Sequence, residues 1–266
     1  SFYDTTLDAA VLFNIIPKRY KTLGLSEQDT YFAMARGYQG AQGDVKALAM
    51  KKWFNTNYHY MVPEIEDDTT ISLAGNKPVD EYLEAKENGI ETKPVIVGPF
   101  TLLKLIRFVG EKGIRDFAEQ LCEAYCELTG KLEKAGTAWI QFDEPYLVHD
   151  LTKEDQELFV KLYNKILSGK KGVKILLQTY FGDVRDIYET VVTMDFDGIG
   201  LDFIEGKETA ALVEKYGFPE DKLLFAGVVN GKNIWRNHYQ KTLDVIDGLK
   251  AKNISVVIST SCSLLH

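Results

Sequence analysis

The sequence predicts an α/β fold of the (β/α)8 TIM-type barrel class. Short apolar runs alternate with amphipathic helical segments after residue 90. These units recur about every 25–45 residues, which suits a parallel sheet with right-handed crossovers. Polar residues follow the predicted strand ends, where barrels carry their binding and catalytic groups. An open, doubly wound sheet would give the same alternation, but no Gly-x-Gly-x-x-Gly motif follows the early strands, so the barrel is preferred.

The first ninety residues are less regular than the rest of the chain. Tyr3-Asp4 resembles the end of a strand. Helices are predicted over 27–36 and 45–52, the second with Asp44 as its N-cap. An irregular excursion then leads to the first of the regular strands.

Six predicted strands follow, each a run of mostly aliphatic side chains that is typical of parallel strands covered by helices. They span 94–97, 138–142, 173–177, 198–201, 223–226 and 254–258. Shorter helices are predicted before the last two strands, over 210–216 and 243–251.

Two longer helices have clear periodicity and end signals. The helix over 115–135 places its apolar side chains on one stripe, formed by Phe117, Leu121, Tyr125, Leu128 and Leu132. Gly136 follows in the position of a C′ residue. Thr152 and Asp155 have the spacing of a capping box and predict the start of a helix that ends at Gly169.

The composition is that of an ordinary globular protein, with 45% hydrophobic and 26% charged residues. No Pro-, Gly- or Ser-rich linker interrupts the chain, so residues 1–266 are predicted to form a single domain. The net charge of -8 and the absence of a basic run argue against nucleic-acid binding. No apolar run reaches the roughly 18 residues of a membrane span, and the start is not a signal peptide. The three cysteines are too few and too awkwardly placed for a disulfide framework, since Cys122 and Cys126 lie four residues apart on one predicted helix and Cys262 is distant. A reducing, cytoplasmic location is therefore expected.

The chain offers no convincing catalytic or metal constellation. Asp143 and Glu144 are adjacent on a strand, so one should face the barrel mouth and the other the helices. A hydrolase pair would need a further carboxylate, such as Asp202 or Glu205; otherwise these are structural groups. The four histidines are scattered, and Cys262 lacks partner ligands for zinc. No catalytic and no metal-binding residue is therefore predicted.

The segment from Lys52 to Tyr60 has an unusual composition. It holds a cation, four aromatic rings, two amides and an imidazole, without an acidic or aliphatic side chain. Such a mixture suits a surface that binds a flat, polar, anionic ligand, because aromatic rings can stack on the ligand and amides can both donate and accept hydrogen bonds. It also suits an aromatic plug at a barrel end. Lys52 itself could simply complement the dipole of the helix predicted before it.

Several long motifs, in order along the chain, resemble the N-terminal half of cobalamin-independent methionine synthase. They lie at 52–60, 62–64, 97–99, 141–145, 227–236 and 259–266. The family transfers a methyl group from 5-methyltetrahydrofolate polyglutamate to homocysteine in methionine biosynthesis. The resemblance implies two (β/α)8 barrels, with zinc and homocysteine bound by a C-terminal catalytic barrel that is absent from this chain.

The resemblance implies a folate-binding role for Lys52, which matches a family lysine that contacts the glutamate tail. Asn57, and less directly Asn55, lie in the same segment and are expected to bind the pterin or the tail. Cys262 is expected to be a relic of a zinc ligand or a core thiol. This part of the enzyme is expected to help bind the tail and to be inactive alone; the alternative is a non-catalytic scaffold barrel that packs on a catalytic domain.

The resemblance also predicts what this chain lacks. The family's opening Gly-Phe-Pro-Arg-Ile-Gly type strand and the Arg-Glu-Leu-Lys type motif after it are not found. Ser1 would fall inside the second strand. We therefore expect a fragment whose barrel is without its first strand.

Overall fold

The computed structural model describes residues 4–265. In chain order, its helices are α1 Thr5–Leu12, α2 Lys18–Lys21, α3 Glu27–Arg36, α4 Lys77–Glu87, α5 Pro99–Leu105, α6 Ile114–Ala135, α7 Lys153–Gly169, α8 Tyr188–Thr193, α9 Thr209–Tyr216 and α10 Tyr239–Lys250. Its strands are β1 Tyr38–Gly40, β2 Gly43–Val45, β3 Met50–Lys52, β4 His59–Met61, β5 Glu64–Glu66, β6 Val95–Val97, β7 Arg107–Val109, β8 Trp139–Asp143, β9 Lys174–Gln178, β10 Gly198–Asp202, β11 Leu223–Val229 and β12 Ser255–Thr260.

Six strands form one parallel sheet in the order β12-β11-β10-β9-β8-β6. This sequential order with helical crossovers is that of a TIM-type barrel, and the six predicted strands are confirmed. Within residues 4–265 the sheet has six strands, two fewer than a closed eight-stranded barrel. The sequence predicted that only the first strand would be absent. Tyr3 of the predicted strand end lies outside the described residues. Asp4 is extended and acts as the N-cap of α1.

The outer face of the sheet carries the core. Ile140 and Phe142 of β8 are fully buried there, while the alternate residues of the strand face the interior of the sheet. The apolar stripe predicted for α6 is entirely buried, and Gly136 adopts the left-handed conformation expected of a C′ residue. The predicted capping box of α7 is also present, with the Asp155 backbone N–H donating to the Thr152 hydroxyl.

The helix predicted over 45–52 is wrong. This stretch belongs to two antiparallel hairpins, one of β1 with β2 and one of β3 with β4. Lys52 pairs with His59 across the second hairpin, and the backbone N–H of Leu48 donates to the carbonyl of Met34. These pairings use the backbone groups that a helix would need, and so they override the local helical propensity. The helix predicted over 27–36 is confirmed as α3.

Glu144 lies between the sheet and the helices and has no exposed surface. Its carboxylate accepts hydrogen bonds from the backbone N–H groups of Phe100 and Thr101, at 3.0 and 2.6 Å, in the first turn of α5. It also accepts one from the Tyr163 hydroxyl of α7 at 2.7 Å. One side chain therefore joins β8 to two helices. Burial raises the pKa of Glu144 to about 7.

The Glu144→Gln variant tests this junction. Its amide nitrogen cannot accept one of the two helix N–H bonds, so the free energy of unfolding should fall by about 1–3 kcal/mol. The folded pKa of about 7 lies above the ordinary 4.5, so the folded protein binds this proton more tightly. The stability that Glu144 contributes therefore declines as pH rises from about 4.5 to about 7. Urea unfolding at pH 5 and 8 should show a smaller difference between parent and variant at pH 8; a larger one would contradict the assignment.

Candidate functional site

The hairpin of β3 and β4 packs on the carboxyl ends of the parallel strands. Trp53 and Tyr60 are buried in a cluster with Tyr180, Phe181 and Cys262, which follow β9 and β12. Phe54, at φ 50°, stacks on the His149 ring at 5.5 Å between centroids. Trp53, Phe54 and Tyr60 thus form the aromatic plug that was one of the two predicted alternatives, whereas Tyr58 is exposed.

Most polar residues of the same hairpin remain at the surface, although Thr56 is buried. Lys52 is the last residue of β3 and is exposed, so it does not end a helix as predicted. Asn57 lies exposed in the connection between the two strands, beside the exposed Tyr58. The hairpin therefore combines buried aromatic residues with exposed polar ones, and the predicted ligand surface at Lys52 and Asn57 stays a prediction.

Asn55 lies at the centre of a polar contact between the hairpin and the sheet. Its side-chain NH2 donates to Glu205 Oε2 at 2.6 Å, and its Oδ1 accepts from Lys232 Nζ at 2.5 Å. Lys232 Nζ also lies 2.7 Å from Glu205 Oε1 and 4.5 Å from the centre of the Phe181 ring. Both functional groups of the Asn55 amide are therefore used to hold the hairpin in place.

The base of the hairpin is held by Asp4. One oxygen of this buried carboxylate accepts from the backbone N–H groups of Thr6 and Leu7, at 2.8 Å each, which caps α1. The other accepts from the Met61 N–H of β4 at 2.7 Å. Burial is the largest influence on Asp4 and raises its pKa. A single side chain thus sets the position of the hairpin against the first helix.

The carboxylates at the strand ends make different contacts. Asp143 faces the interior of the sheet, where its carboxylate accepts from Gln141 Nε2 at 2.7 Å and from the Tyr180 hydroxyl at 3.1 Å. Glu144 faces the helices, as the alternation of strand residues predicts. Asp202 accepts three backbone N–H bonds from Phe181 and from residues 204–205. Because Glu144 is enclosed and Asp202 organises loops, neither supplies the second open carboxylate of a hydrolase.

The described residues 4–265 contain no group of three or more His, Cys, Asp or Glu side chains placed to hold a metal ion. Cys262 is buried, and burial raises the pKa of its thiol, which disfavours the thiolate that zinc requires. The residues present do not fit a zinc site. In the same part of the chain, no helix has both the length and the apolar character needed to cross a membrane.

Sequence reasoning did not single out Lys232 or Phe181 as partners of the hairpin. Both lie just after the carboxyl end of a strand, where barrels carry their binding groups, and this position is the feature of the sequence that could have indicated them. The contacts of Lys232 with Asn55 and of Phe181 with Phe54 are fixed by the docking of the hairpin, which joins residues more than a hundred positions apart.

The Lys232→Met variant tests the polar contact. It leaves the partly buried Glu205 without its cation and removes a hydrogen bond to Asn55, so stability should fall by about 1–3 kcal/mol. Hydrogen exchange of residues 53–58 should also accelerate. Lys165→Met, which removes an exposed ion pair with Glu119, serves as the control and should change little. Equal effects of the two substitutions, measured by urea unfolding, would contradict the role of Lys232.

Comparisons with known proteins agree with this architecture. The family model of the cobalamin-independent synthase N-terminal domain matches residues 1–254. The whole chain is 59% identical to a 5-methyltetrahydropteroyltriglutamate–homocysteine methyltransferase of Streptococcus suis and 57% identical to one of Campylobacter jejuni. It spans 35% of the length of each.

Solved structures show the same fold at low identity. A putative vitamin-B12 independent methionine synthase from Listeria monocytogenes matches with a TM-score of 0.64 and 18% identity, over 75% of this chain and 66% of that one. A B12-independent methionine synthase from Shewanella sp. W3-18-1, solved with selenomethionine, matches with 0.64 and 16%, over 78% and 65%. The chain belongs to the cobalamin-independent synthase family and corresponds to its N-terminal domain.

Proposed function

We propose that this chain is the N-terminal part of a methyltransferase that moves a methyl group from 5-methyltetrahydropteroyltriglutamate to homocysteine, forming methionine. The observation that carries the proposal is the 57–59% identity, over the entire chain, to proteins named for that reaction. We further propose that this part helps to hold the triglutamate tail of the folate through Lys52, with Asn57 and Asn55 in support.

The geometry of the hairpin supports a tail-binding role. The tail is a flexible series of carboxylates. An exposed ammonium whose backbone is already ordered in a strand can pair with one of them with little further loss of backbone entropy. Lys52 has this position at the end of β3. Asn57 adds an exposed amide close by in sequence. Asn55 contributes by position, because its amide is engaged by Glu205 and Lys232.

The remaining chemistry belongs to the part of the relatives that this chain does not span. In a complete enzyme, a bound zinc ion would favour the thiolate form of homocysteine. The described residues of this chain do not fit such a site, so we assign them no step of methyl transfer. The proposed partner is a C-terminal catalytic barrel, which would bring homocysteine to the folate.

A second candidate is a non-catalytic scaffold that packs on the catalytic part and binds no ligand. Ile234 and Trp235, in the segment after β11, favour it because they are 102% and 83% exposed, which is uncommon for large apolar side chains outside an interface. The two candidates differ in whether this chain binds the triglutamate.

Titration calorimetry separates them. This chain should bind 5-methyltetrahydropteroyltriglutamate more tightly than the monoglutamate, since only the longer tail reaches the hairpin. Lys52→Ala should weaken triglutamate binding by about three- to tenfold, the value of one partly screened charge pair. Lys51→Ala, at the neighbouring exposed lysine, should leave the affinity unchanged. Equal loss in both variants, or no binding of either folate, would refute the tail-binding role.

Methyl transfer by the isolated chain provides an independent test. With the triglutamate folate, homocysteine and zinc, this chain alone should form no methionine, whereas the complete Streptococcus suis enzyme under the same conditions should form it. Turnover by the isolated chain would show that the missing part is not required.

A further inference from the structure

A histidine lies directly beside Lys52 on the same face of the hairpin. In the register of β3 and β4, Lys52 is opposite His59, and directly opposed residues of an antiparallel pair point to the same side. The Trp53 N–H donates to the Tyr58 carbonyl at 2.7 Å, so the next pair, Lys52 with His59, has no hydrogen bond between its two backbones. Side chains approach most closely at such pairs, where the Cα atoms are about 4.5 Å apart.

Both side chains of this pair are available to a ligand. Lys52 and His59 are exposed. In the described part of the chain, neither side chain takes part in a hydrogen bond, an ion pair or a ring contact. The backbone that carries them is held in place through Asp4 and Asn55. The hairpin therefore presents an ammonium and an imidazole side by side on an ordered support.

The charged groups of the elements packed against β4 leave this pair unneutralised. On β3, Lys51 is the neighbouring position and so points to the opposite face of the hairpin. At the start of α1, Asp4 is buried and uses both carboxylate oxygens for backbone N–H groups. Asp8 of α1 is paired with Lys77 at 2.8 Å. No carboxylate of β3 or α1 is thus free to pair with His59.

We propose that His59 is a second tail-binding residue, which in its protonated form holds a carboxylate of the ligand together with Lys52. This inference rests on the tail-binding role proposed for Lys52. Like charges directly opposite each other destabilise a sheet, and a bound carboxylate relieves this repulsion by pairing with both cations. Binding of the tail is therefore linked to binding of a proton.

The consequence is a tail site whose charge depends on pH. Histidine is the side chain whose charge ordinarily changes between about pH 5 and pH 8, whereas lysine and the carboxylates of the tail stay ionised over that range. One partly screened charge pair changes affinity by about three- to tenfold. We expect the triglutamate folate to bind more tightly by this factor at pH 6 than at pH 8, and the monoglutamate to show no such gain.

Titration calorimetry of the parent and two variants at pH 6 and pH 8 tests the role of His59. Variants are needed because burial also raises the pKa of Glu144 to about 7 and that of Asp143 to about 6. His59→Gln cannot become charged, so it should lose the gain at pH 6 and bind triglutamate like the parent at pH 8. His59→Lys is charged at both pH values and should bind tightly at both. Circular dichroism verifies that each variant is folded.

The protons taken up on binding give a second readout. At pH 7, binding enthalpies in two buffers of different ionisation enthalpy should show uptake of part of a proton by the parent and not by His59→Gln. His238→Gln is the matched control, because His238 lies at the N-cap of α10, outside the hairpin, and it should behave as the parent.

The outcomes separate this inference from the proposal on which it rests. Equal pH dependence and equal proton uptake in the parent and His59→Gln would overturn the role of His59. If Lys52→Ala still weakened triglutamate binding in that case, the tail-binding role of Lys52 would stand. Absence of triglutamate binding by the parent at both pH values would refute both.

Discussion

The junction made by Glu144 is the interaction on which the architecture around the site depends. Its buried carboxylate joins the end of β8 to the first turn of α5 and to Tyr163 of α7. Because neighbouring strand residues point to opposite faces, placing Glu144 among the helices directs Asp143 into the interior of the sheet. One position in the sequence thus separates the side of the sheet that packs on the helices from the side that faces its interior.

The hairpin is attached in a similar way, by polar side chains that each form hydrogen bonds to more than one element. Asp4 caps α1 with one oxygen and holds β4 with the other. At the other end, Lys232 and Glu205 engage the amide of Asn55 from two different loops. Each of these groups satisfies backbone or side-chain partners from separate elements, so the position of the hairpin does not depend on its own short strands alone. Such a support would limit the conformational entropy lost in the tail binding that we propose for Lys52.

The unusual composition of the Lys52–Tyr60 segment has a simple physical explanation. It contains both aromatic and polar residues, and the fold buries Trp53 and Tyr60 while leaving Lys52 and Asn57 in solvent. The buried rings anchor the segment on the rim of the sheet. The polar groups then face outwards from a surface that cannot easily move. The hairpin is thus anchored by its buried rings and exposes its polar side chains.

The six parallel strands, the two long helices and the family could all be inferred from the sequence alone. These features depend on local periodicity, on capping residues such as Thr152 and on long contiguous motifs, all of which are readable along the chain. By contrast, the non-helical conformation of 45–52 and the contact of Asn55 with Lys232, 177 positions away, became visible only in the folded structure. Such pairings are set by which backbone and charged groups the fold brings together, and that information is not present in any local window of residues.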